Sequence, residues 1–164
     1  MKEVKFNGLD EILELGSYIE LKVDDENMFN TILRYCDSNK TKTIKKISIK
    51  GKSLAESLAL AEKSLTKQYL SLQNKEFLKT LNGIEWLLKN NFDIFISKEH
   101  YDYFNIQVSA EDQYKGLING LYNYNTCSSN GISTLFQNCN GWANTLKKHI
   151  EKNNEFIKNN YFKY

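Results

Sequence analysis

Between Tyr18 and Val23 the chain alternates Tyr18, Glu20 and Lys22 against Ile19, Leu21 and Val23, the two-residue period of a strand with one buried face. "TIKKISIKGKS" continues the theme through Ile44, Ile47 and Ile49 and predicts a strand that stops at Gly51. "FDIFIS" (92–97) and "YFNIQVS" (103–109) read as two more strands joined by the hairpin-length "KEHYD". A further short strand is expected at "EVKF", residues 3–6.

Helical spacing accounts for most of the remainder. "LDEILELG" predicts a short helix ended by Gly16. "DENMFNTILRYC" places Met28, Phe29, Ile32, Leu33 and Cys36 at helical intervals, so a helix is expected there with Cys36 in the core. Ser53 and Glu56 fit a capping box at the head of "LAESLALAEKSLTKQYLSL". A second helix follows from about Asn74, with Phe77, Leu78, Leu81, Ile84, Leu87 and Leu88 on one face, and the two predict an αα-hairpin docked on the sheet. Ser109 and Asp112 are candidate caps for "AEDQYKGLINGLYNY", where Gly116 and Gly120 each weaken the helix by roughly 1 kcal/mol relative to alanine. Residues 125–137 read as loop, and a last helix is expected from Asn138 or Cys139 to about Asn159. The sum is one α+β domain over residues 1–164, a small, mostly antiparallel sheet packed against several helices.

Composition narrows the function classes. With 164 residues, 41% of them hydrophobic, the chain supports one ordinary core. Lys+Arg 22 against Asp+Glu 20 gives a net charge of +2, and Arg34 is the only arginine, which makes nucleic acid an unlikely partner. The lysines read as a solvated surface spread through the chain. Proline is absent, and heavy asparagine and lysine usage fits an AT-rich coding sequence of bacterial or phage type. No apolar run reaches the roughly 20 residues of a membrane span and none resembles a signal peptide, so a cytoplasmic location is expected.

Candidate chemistry is sparse. "GKS" at 51–53 would end a phosphate loop only with a glycine at position 46, which is Lys46. Cys36, Cys127 and Cys139 form no CxxC, so neither a zinc site nor a disulfide framework is indicated, and no cofactor is expected. Cys139 differs from the other two by its position. If Asn138 caps the last helix, Cys139 sits in the first turn, where unpaired N–H groups favour a thiolate and an oxyanion. Trp142, Ala143, Leu146 and Ile150 place the same cysteine on the buried stripe of its helix, which core packing also produces.

Residues 104–148, "FNIQVSAEDQYKGLINGLYNYNTCSSNGISTLFQNCNGWANTLKK", resemble the C-terminal half of circularly permuted papain-like domains, the group that includes the lecithin:retinol acyltransferase-like and some NlpC/P60-like proteins. The resemblance implies a permuted papain-like fold and a cysteine hydrolase or acyltransferase acting on an amide or ester, with Cys139 as nucleophile. It also implies a base histidine that precedes the cysteine. His149 lies ten residues beyond Cys139, roughly 15 Å along one helix, so His100 is the candidate, with Asp102 or Glu99 to orient it. Asn138, Trp142 and Tyr103 would contact a peptide, amide or acyl substrate; Tyr101, Tyr103, Tyr122 and Tyr124 read first as half-buried sheet and helix residues, and their concentration also suits a groove. The family's histidine strand also aligns with "SYIELKV", where Ser17 or Tyr18 would replace the base and leave a non-catalytic member. The rival expectation is a non-enzymatic protein-binding inhibitor or immunity-type protein from a phage or mobile element. The tail "EFIKNNYFKY" is expected to extend the last helix over the core.

Overall fold

A computed structural model describes residues 4–99, 103–109 and 123–153. Among the described residues, six strands, β1 (Tyr18–Val23), β2 (Phe29–Cys36), β3 (Thr43–Gly51), β4 (Asp93–Glu99), β5 (Tyr103–Ser109) and β6 (Asn123–Ser128), form one sheet in the order β3-β2-β1-β4-β5-β6. All five pairings are antiparallel. Two three-stranded meanders therefore meet at β1 and β4. The helices α1 (Asn7–Glu14), α2 (Leu54–Thr66), α3 (Leu72–Lys79), α4 (Asn82–Lys89) and α5 (Ile132–Asn153) complete an α+β architecture.

Alternation decides which face of the sheet the helices cover. Ile19 and Leu21 of β1, Phe29 and Leu33 of β2, Ile94 and Ile96 of β4, and Phe104, Ile106 and Val108 of β5 are buried in one cluster with the apolar stripes of the helices. Their strand neighbours Lys22, Phe95, Tyr103 and Gln107 are exposed on the opposite face. Burying each large apolar side chain contributes roughly 1.5–3 kcal/mol, so a one-residue slip in any of these strands is strongly disfavoured.

Several expectations need correction. Residues 29–36 are strand β2, because Phe29, Thr31 and Leu33 pair with Val23, Leu21 and Ile19 across a hairpin. Phe29 and Leu33 are four apart, a spacing that fits a helix face and alternate strand positions equally. The turn is set by Asp24, whose Oδ1 accepts from the amides of Glu26 and Met28, and by Asn27 at φ 59°. Cys36, expected in the core, ends β2 half-exposed. Residues 4–6 form no strand, and β6 occupies the start of the expected loop.

The helical layer is more broken than expected. α2 ends at Lys67, which takes the left-handed conformation at φ 59°. The second predicted helix is two short ones, α3 and α4, separated at Thr80–Leu81. Ser53 caps α2 as expected, its Oγ accepting from Glu56 N–H, while Glu56 reaches back to the amide of Lys52. The glycines at 116 and 120 and the tail beyond 153 lie outside the described residues.

Candidate functional site

The apolar stripe of α5 runs Ile132, Leu135, Phe136, Cys139, Ala143, Leu146 and Ile150, every one buried against the sheet and α4. Cys139 has 0% exposure. The helix begins at Ile132, seven residues before it, so Asn138 is not an N-cap and Cys139 does not lie in a first turn. Its amide belongs to the helical ladder, not to the four unpaired N–H groups of the helix start. Burial pushes the Cys139 thiol up to about 12, the opposite of what a helix start would do.

The start of α5 is already occupied by an anion from within the chain. Asp10 Oδ1 accepts the amide of Ile132 at 2.8 Å, and Gly131 before it, at φ +92°, has no room for a side chain: a Cβ there would lie 2.8 Å from Asp10 Oδ2. Loss of hydration raises the Asp10 carboxyl above its ordinary value, the Ile132 amide opposes this, and the charge of Glu62 adds to it. Glu62, in turn, accepts Gly8 N–H at 2.9 Å and Leu9 N–H at 2.8 Å, closing the start of α1. Burial raises its carboxyl too, against those two amides.

The other predicted site residues that the structure describes take separate positions, with Tyr124 near enough to Cys139 that its phenol is raised by burial and, to a lesser degree, by the charge of that thiol. Asn138 is exposed on α5. Trp142 is half-buried and stacks on Tyr124, with ring centroids 4.6 Å apart at 18°. Tyr103 is 47% exposed and alternates with buried Phe104, so it lies on the face of the sheet away from α5. Cys127, opposite Asn105 in the ladder, is exposed on that same outer face. His100 and Asp102, with Tyr101 and Tyr122, lie outside the described residues. Among the described residues no group of three or more His, Cys, Asp or Glu is placed to hold a metal ion, and no helix is long and apolar enough to cross a membrane.

A different surface stands out. Residues 40–52 hold six lysines and no carboxylate, and most of them flank or occupy β3, the edge strand of the sheet. The lysines are therefore not evenly spread, as composition alone suggested. Thr43, Ile44, Lys45, Lys46, Ser48 and Lys50 are all exposed. Lys50 pairs with Asp24 at 2.8 Å and Lys45 lies 5.7 Å from the Tyr35 ring centroid. The Asp37 carboxylate holds the β2–β3 turn by accepting from the amides of Thr41 and Lys42. The signal for this edge was present in the sequence as the run of lysines without an acid.

Set against known proteins, the chain matches no family model, and no curated protein and no solved structure is significantly similar to it.

Proposed function

We propose that the chain is a protein-binding module with no reaction of its own, of the inhibitor or immunity type. The observation that carries this reading is the state of Cys139: fully buried in the interior of α5, with a thiol raised to about 12. At pH 7 burial keeps such a group as the neutral thiol, and no substrate carbonyl reaches it without opening the core. A hydrolase reading needs both an accessible thiolate and a base within hydrogen-bond reach. The exposed lysine-bearing edge of β3 supplies, instead, a surface suited to recognition.

The test is affinity purification of the tagged chain from cells of its source, comparing wild type with Cys139→Ser. A protein partner recovered at fixed stoichiometry and equally by both supports the reading. A thiol-dependent turnover of amide or ester substrates, abolished in Cys139→Ser with the fold intact, contradicts it.

A further inference from the structure

Strand β3 presents nine residues along a free sheet edge, since β2 is its only neighbour among the described residues. On such an edge, every second pair of backbone N–H and C=O groups points away from the sheet and is available to another strand. Two features restrict what can add there. Lysines project from both sides: Lys46 and Lys50 lie in the outward row with Ser48, opposite Arg34, Asn30 and Ile32, while Lys45 lies opposite Tyr35 on the other row. Lys40, Lys42 and Lys52 extend the charge beyond each end of the strand. Among the described residues, no carboxylate pairs with Lys45 or Lys46.

A second copy of the chain would set this lysine row against itself, and like charges opposite one another across a ladder are destabilising. Charge complementarity calls for an acidic strand. Ile44, 64% exposed on the same edge, adds an apolar contact that a polyanion without side chains would not use. Single-stranded nucleic acid needs stacking platforms interleaved with the cations. Half-buried Tyr35 on β2, already under Lys45, is a single such platform, and the exposed aromatics Phe95 on β4 and Tyr103 on β5 are three and four strands from β3, roughly 14 and 19 Å by strand spacing.

We propose that β3 docks an extended acidic segment of a partner protein by strand addition, with carboxylates against Lys45, Lys46 and the flanking lysines and an apolar side chain against Ile44. This inference rests on the protein-binding reading and names the surface and partner chemistry for it. Main-chain pairing supplies the affinity in this mode and the alternating side chains the specificity.

The test uses the full chain and a labelled nine-residue peptide of repeating Glu-Glu-Val, whose carboxylates project from both faces of an extended strand, with the corresponding Lys/Val peptide and oligothymidylate as comparisons. The expected result is saturable anisotropy for the Glu/Val peptide and amide shifts confined to β2 and β3. Binding should weaken at least about tenfold in Lys45→Glu/Lys46→Glu, less in Lys45→Gln/Lys46→Gln, and fall as salt is raised. No Glu/Val binding, equal binding of the Lys/Val peptide, or tighter binding of oligothymidylate would each overturn the proposal. Purification with the charge-reversed variant separates the two claims. A partner retained by Lys45→Glu/Lys46→Glu refutes the β3 assignment alone, whereas no partner with wild type refutes the protein-binding reading.

Discussion

Asn140, the residue after Cys139, closes the start of a different helix: its Oδ1 accepts the amides of Gly83 at 2.7 Å and Ile84 at 3.1 Å. Its Nδ2 donates to the Thr80 carbonyl at 3.1 Å. α4 has no side-chain cap of its own, so Asn140 provides one from α5. With Glu62 of α2 serving α1 and Asp10 of α1 serving α5, three helix starts are closed by side chains from other helices. Asn140, one of the two asparagines flanking Cys139, thus has structural work that accounts for it.

Asn140→Ala should cost about 1–3 kcal/mol, because two amides at the start of α4 lose their acceptor. Asn140→Asp should cost less, keeping an acceptor and adding charge favourable at a helix start while losing the bond to Thr80. Urea denaturation read as a shift in midpoint at constant slope measures both. An Asn140→Ala variant as stable as wild type would remove this role.

Gly83→Ala tests the same junction by sterics. A Cβ at position 83 would sit 2.6 Å from the backbone oxygen of Asn140, which cannot swing aside. α4 and α5 would have to separate, and a loss of about 1–3 kcal/mol is expected in thermal or urea unfolding. Gly141→Ala, where nothing lies within 4 Å of the added Cβ, should instead be neutral or slightly stabilising.

Acid dependence follows from Asp10 and Glu62, both raised above their ordinary values of 3.8 and 4.5, chiefly by burial. A carboxyl that holds its proton more tightly in the folded chain stabilises the fold most below its unfolded value. That contribution is lost as pH rises through the folded value. As pH rises from about 4 through the raised folded values, the two groups therefore lower wild-type stability. The stability of Asp10→Asn and Glu62→Gln relative to wild type should improve across the same interval. Asp24, held well below the usual range by Lys50 and the Met28 amide, acts in the opposite direction but is common to all three proteins and cancels. Relative stabilities that stay flat or worsen with pH would contradict the assignment.

Four of the six described strands were legible because Ile19/Leu21, Ile47/Ile49, Ile94/Ile96 and Ile106/Val108 recur at every second position, with neighbours that, Phe95 apart, are polar. β2 was not, since Phe29 and Leu33 satisfy both periods and only pairing with β1 decides between them. The start of α5 was misplaced for a related reason. Its cap comes from Asp10, far away in sequence, while the local "QNCN" imitates a start that does not exist. Core membership of Cys139 was readable from Trp142, Ala143, Leu146 and Ile150; its chemistry depended on where the helix began, which no local residue reveals.

The most direct measurement is site-resolved alkylation of the folded protein across pH 6–10. Cys127 should react first, half-exposed Cys36 more slowly, and Cys139 only at the rate of unfolding, accelerating in urea. A Cys139 that alkylates in the folded chain well below the unperturbed thiol value of about 8.5, and slows in His100→Ala, would contradict the account and restore a cysteine nucleophile.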